Sequence, residues 1–130
     1  MIEAQTALLY TMVMVSAADN EMSDAEISRI GEIVSQLPVF SGFDRDQMGD
    51  VARECADVLA QENGLEKALG QIRDALPDHL CETAYVLACD IAIADQKAEQ
   101  EELRLLEMIR YTLDIDRLHA AAIERAARAR

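Results

Sequence analysis

The sequence predicts an all-α fold, a compact bundle of about seven helices with two pseudo-symmetric helix–loop–helix halves. Three observations predict it. Gly and Pro are scarce, with 5 and 2 in 130 residues, while Ala, Leu, Ile, Glu and Arg dominate, so few breakers interrupt helical turns. Apolar residues recur at spacings of three and four, the period of a helix face. One acidic element is written twice along the chain.

The first helix is expected from about Glu3 to Ala18. Leu8, Leu9, Met12, Val13 and Val15 leave it almost no polar stripe, so it is expected to be enclosed. Ser23 with Glu26 three residues on forms a capping box for the second helix, whose stripe is Ile27, Ile30, Ile33, Val34 and Leu37. Pro38 ends it. A short loop holds Phe40 and Phe43, and Asp44 with Gln47 suggests a second capping box. The third helix is expected to reach Gln61, burying Met48, Val51, Cys55, Val58 and Leu59. Asn63-Gly64 punctuates. The fourth carries Leu65, Leu69, Ile72 and Leu76 up to Pro77. Asp78 is expected to cap a fifth helix reaching Ala94. A sixth runs from about Gln96 or Glu99 to Thr112, and a seventh starts near Asp116. With no dividing linker, residues 1–130 read as one domain of ordinary size, long enough to bury a core without staples.

The formal charge is −13. Such an excess repels nucleic-acid phosphates and anionic membranes, which argues against both as partners. It suits cations, a basic protein partner, or solubility alone. Arg117, Arg125, Arg128 and Arg130 crowd the C-terminal end, where cations offset the helix macrodipole. Cys55, Cys81 and Cys89 contain no CxxC pair and read as small buried residues in a reducing compartment. His79 and Cys81 alone make a weak zinc signal. The apolar run Gln5–Ala18 is shorter than a bilayer needs and reads as a buried helix, in a cytoplasmic protein without membrane insertion.

The repeated element is Ala18-Asp19-Asn20-Glu21-Met22-Ser23-Asp24-Ala25-Glu26-Ile27, matched by Ala94-Asp95-Gln96-Lys97-Ala98-Glu99-Gln100-Glu101-Glu102-Leu103. Each copy follows an apolar helix and precedes an amphipathic one, with Ile30 and Ile33 aligned on Leu106 and Ile109. The Asp falls where helix meets loop, and the Glu falls seven residues later. If the two loops pack together, Asp19, Glu26, Asp95 and Glu102 form one cluster. Four close carboxylates do not all stay ionised without a counterion. A hard, oxygen-seeking divalent cation, Ca²⁺ or Mg²⁺, would supply it. The element has no His or Cys for zinc or copper.

The plainer reading assigns these acids to helix ends. Glu26 completes the Ser23 capping box, Asp19 serves a turn, and acids favour helix N-termini. That reading explains the second copy less fully, because Glu99 stands where Ser23 stood. An EF-hand does not fit: a loop from Asp19 puts Asp24 and Ile30 where Gly and Glu are required, and one from Asp44 ends on Cys55. Asp90 is a secondary candidate. It is the sole charge between Glu82 and Asp95, on an apolar helix, and calls for an ion pair with an Arg of another helix or a role beside the acidic cluster.

No catalytic residue emerges. There is no Gly-x-Ser-x-Gly motif and no phosphate loop, and His119 sits on an Arg- and Ala-rich helix where exposure is expected. The chain therefore reads as a binding module rather than an enzyme. A hydrolase using the carboxylates on a metal-bound water would need an open pocket.

Ala17-Ala18-Asp19-Asn20-Glu21-Met22 with Glu26, repeated as Ile93-Ala94-Asp95-Gln96-Lys97-Ala98 with Glu102, resembles the hallmark of the TerB-like family. There an apolar helix ends in Ala-x-Ala-Asp-Gly, and a Glu follows seven residues after the Asp. The family's Gly is Asn20 in the first copy, which tolerates a left-handed backbone, and Gln96 in the second, which does so less readily. The resemblance covers most of the chain. It implies a bacterial intracellular module linked to tellurite resistance or stress response, with a metal-binding or scaffold role at Asp19, Glu26, Asp95 and Glu102. A metal-free helical interaction domain, with acids that only cap helices, is the alternative.

Overall fold

The computed structural model describes residues 2–18, 24–93 and 100–129. Among these residues the chain forms seven α-helices and no strand. α1 (Ala4–Ser16) and α5 (Asp78–Ala92) are its two most apolar helices, and they pack on each other at the centre. Leu8, Met12, Val15, Ala88 and Ile91 have no exposed surface. Thr11 is tolerated inside α1 because its hydroxyl donates to the Ala7 carbonyl one turn back, at 2.8 Å.

α1 was expected to reach Ala18 and α5 to reach Ala94. They stop at Ser16 and Ala92, and they stop alike. The Ala17 N–H reaches the carbonyls of Val13 and Val15, and the Ile93 N–H those of Cys89 and Ile91, with near-identical backbone angles. At the end of α1 the Ala18 N–H bonds three residues back to the Val15 carbonyl at 3.3 Å, which tightens the last turn.

α2 (Asp24–Gln36) buries Ile30, Ile33 and Val34. Its expected stripe is narrower than the sequence suggested, since Ile27 is 49% and Leu37 38% exposed. Pro38 opens a single 3₁₀ turn, Pro38–Phe40, which drives Phe40 into the core with its ring edge-on to Phe43. The Gln5 amide of α1 donates to the carbonyls of Val39 and Ser41 and fastens this loop. Ser23, the expected cap of α2, lies outside the described residues.

Asp44 accepts from the Asp46 N–H and caps a second 3₁₀ turn, Arg45–Gln47, rather than α3 itself. α3 (Met48–Leu59) follows with no side-chain cap, so the expected capping box with Gln47 does not form at its start. α3 ends at Leu59, two residues short of the expected Gln61, because the chain must reverse into α4 (Gly64–Ala75). Asn63 takes a left-handed conformation at φ 56°. Gly64 lets the backbones touch: a Cβ there would lie 2.4 Å from the carbonyl oxygens of Val58 and Leu59.

Asp78 was expected to cap α5. Pro77 occupies the capping position instead, and Asp78 is the first helical residue, without a capping bond. α6 (Gln100–Thr112) buries Leu105, Leu106 and Ile109 against α5, α1 and α4. It ends where Asp114 turns left-handed and the Ile115 N–H bonds back to the Arg110 carbonyl, a reversal that satisfies late carbonyls. α7 (Arg117–Arg128) starts as expected at Asp116, whose carboxylate accepts from the N–H groups of Leu118 and His119. Ala120 and Ala127 bury its inner face, and the Tyr85 hydroxyl of α5 donates to Glu124 at 2.6 Å.

Candidate functional site

Glu26 and Glu102 each lie in the first described turn of the helix that follows a central apolar one. Both are only 2% exposed. The inward face that buries Ile30 and Ile33 in α2 continues N-terminally through Glu26. In α6 the face of Leu105, Leu106 and Ile109 continues through Glu102. Glu26 and Glu102 thus match in burial, while the loop of each copy, 19–23 and 94–99, lies outside the described residues. On the Glu26 side, the Ser16 hydroxyl at the end of α1 donates to Oε1 at 3.5 Å. The matching place in the second copy is Ala92.

Asp90 lies on α5, 7% exposed, and Arg29 of α2 reaches it at 3.6 Å. Arg29 also pairs with Glu32 at 3.2 Å, so one guanidinium joins a buried and an exposed carboxylate. Asp90 therefore has the inter-helix arginine that the sequence called for. Asp19 and Asp95, the other halves of the candidate pairs, lie outside the described residues. Among the described residues no group of three His, Cys, Asp or Glu side chains is placed to hold a metal ion.

Sequence reading passed over Ser16 and Arg29, which sit beside the singled-out acids. The one available signal was helical spacing. Arg29 lies three residues beyond Glu26, one turn along the same helix, and a lone cation there is a natural partner for a lone acid on an apolar neighbour.

A cavity of about 270 Å³ opens between α5, α6 and α7, walled by Cys89, Ile93, Leu106 and Ala127, with Arg110 and Arg128 nearer solvent. Burial pushes the Cys89 thiol up to about 12, and Cys55 likewise. Neither is a thiolate at neutral pH, so neither is an activated nucleophile. Both are buried free thiols, whereas Cys81 is only half-buried. His119 is exposed and hydrogen-bonded to Asp116. Each holds the other charged: the Asp116 hydrogen bond raises the His119 pKa, and the His119 hydrogen bond lowers that of Asp116.

Among the described residues, seven α-helices, five of them around the central apolar α1 and α5, with a buried glutamate early in the helix that follows each, define an all-α bundle. The family model described as Tellurite resistance protein TerB matches residues 5–125, nearly the whole chain. The chain belongs to the TerB family. Comparison with curated proteins and with solved structures gave no match. No described helix is long and apolar enough to cross a membrane.

Proposed function

We propose that this TerB-family chain is a cytoplasmic binding or scaffold module, linked to tellurite resistance or stress response, and not an enzyme. Its repeated Asp/Glu pairs, Asp19 with Glu26 and Asp95 with Glu102, take a divalent cation, Ca²⁺ or Mg²⁺. Its acidic surface engages a protein partner.

The observation that carries the reading is the matched burial of Glu26 and Glu102, each 2% exposed in the first described turn of its helix. An acid in a first turn gains roughly 0.3–1 kcal/mol from the helix dipole, and it gains this on the surface as well. Burying an ionised carboxylate costs several kcal/mol before compensation. Such burial therefore calls for compensating interactions, of which the Ser16 hydroxyl supplies one on the Glu26 side. Coordination to a hard cation favours the ionised form and suits oxygen ligands at a helix–loop junction. The alternative is a metal-free interaction domain whose acids serve helix ends; the Ser16 bond to Glu26 favours it in the first copy.

Calorimetric titration of Ca²⁺ and Mg²⁺ into chelator-treated protein tests the proposal. Saturable heat lost in both Glu26→Gln and Glu102→Gln supports it. Absence of heat with either ion sinks it in favour of the metal-free domain.

A further inference from the structure

A second concave site lies on the side of the bundle where α1, α3 and α4 meet. It is a cleft of about 480 Å³. Its wall includes Tyr10, a central α1 residue only 2% exposed. Glu54 and Asp57, one helical turn apart on α3, and Asp74 on α4 stand around it, all exposed. Ile2 and Val58 add apolar wall.

The Tyr10 hydroxyl makes no hydrogen bond among the described residues, whereas the comparable Tyr85 hydroxyl is satisfied by Glu124. The Tyr10 ring is buried while its hydroxyl is left to the cleft. None of the three carboxylates has a basic side chain within 4.0 Å among the described residues. The cleft thus gathers three exposed carboxylates and a phenol oxygen that bonds to no other described residue. Burial, then Cys55 and Glu54, raise the Tyr10 pKa, which keeps the phenol neutral.

A bare metal ion does not fit, because these carboxylates do not form a group placed to hold one. An ammonium on a methylene stem does. It carries three N–H donors, matching a phenol oxygen and carboxylates that approach from two helices. Its stem can lie along Ile2 and Val58 while the head stays near water. A guanidinium fork is better matched to a single bidentate carboxylate.

We propose that the cleft between α1, α3 and α4 is a binding site for a primary alkylammonium group, held by Tyr10, Glu54, Asp57 and Asp74. The group comes either from a free linear amine or from a lysine side chain of a partner.

The test is a titration followed by protein NMR, with n-pentylammonium as probe, 1-pentanol as the uncharged match, and sodium chloride at equal ionic strength as the salt control. The site predicts saturable shifts at Tyr10, Val58 and Asp74 with the ammonium and none with the alcohol. Asp57→Asn and Asp74→Asn, both on the surface, weaken binding, and Tyr10→Phe weakens it about tenfold, the loss expected for a hydrogen bond to a charged group. Asp50→Asn, on α3 but outside the cleft, changes nothing. A linear triamine binding more tightly than a lysine tripeptide marks a free amine as the source, and the reverse order marks a protein lysine. Shifts reproduced by sodium chloride, or weakened as much by Asp50→Asn as by Asp74→Asn, overturn the proposal.

Discussion

Arg29 on α2 and Asp90 on α5 stand 3.6 Å apart, joining the helix that carries Glu26 to the centre of the bundle. Asp90 is 7% exposed, while the Arg29 side chain is one-third exposed. Truncation of the arginine leaves a buried carboxylate short of a cation, which is costlier than the pair is worth. Arg29→Ala is expected to destabilise by about 1–3 kcal/mol, the low side reflecting solvent access. Adding Asp90→Asn recovers part of that loss. Urea unfolding of both single variants and the double variant reads this directly. Strict additivity would mean that the two side chains do not interact.

The Tyr85–Glu124 hydrogen bond, at 2.6 Å, is the polar tie between α5 and α7. Its acceptor is a carboxylate, which strengthens it. Tyr85→Phe keeps the buried ring and removes only the donor. A loss of roughly 1.5–3 kcal/mol is expected, together with faster amide exchange along α7. Unchanged exchange in α7 would show that Ala120 and Ala127 dock the helix unaided.

Two glycines of α4 are expected to respond with opposite signs. At Gly64 a new Cβ would lie 2.4 Å from two backbone oxygens, which cannot move aside as a side-chain tip can. Gly64→Ala should cost roughly 2–4 kcal/mol. At Gly70, inside the helix, nothing lies within 4 Å. Gly70→Ala should stabilise by up to about 1 kcal/mol, as a glycine in a helix interior is replaced. Melting temperatures of the two variants check the pair.

His119 and Asp116 form an exposed switch at the start of α7. The His119 pKa is raised, so its contribution is complete below the usual histidine value and fades as pH rises through the folded value. The Asp116 pKa is lowered, so its contribution is present above the usual carboxylate value and fades as pH falls through the folded value. The pair is therefore intact in the mildly acidic range between. An NMR titration should place the His119 midpoint above 6.5, the value of an unperturbed histidine, and Asp116→Asn should bring it down. A midpoint at or below the ordinary value would contradict this pairing.

Much of the fold was legible in the sequence. Enclosure of α1 followed from the missing polar stripe around Leu8, Met12 and Val15, and the stop before α5 followed from Pro77. The misreadings have local causes. Ile27 and Leu37 fit the period of α2 yet stay partly exposed, because periodicity gives the direction of a face and not its width. Asp44 and Gln47 have capping-box spacing, but the chain spends that turn as a 3₁₀ segment before α3 begins. Among the candidate acids, the charge rarity of Asp90 foretold a partner. The burial of Glu26 and Glu102 showed only as their alignment with the apolar faces of α2 and α6. The Tyr10 cleft left no sequence signal, since Tyr10, Glu54 and Asp74 meet only through the packing of three helices.

Binding of a divalent cation by the Asp19/Glu26 and Asp95/Glu102 pairs is the core of the proposed function. Thermal unfolding of chelator-treated protein against rising Ca²⁺ and Mg²⁺, with Asp19→Ala and Asp95→Ala alongside, tests it most directly. A cation at about 100 times its dissociation constant should stabilise the fold by roughly 2.7 kcal/mol. The account predicts a raised melting temperature with one of these ions, lost in both variants. A melting temperature indifferent to both ions would contradict it and leave Glu26 and Glu102 as structural acids.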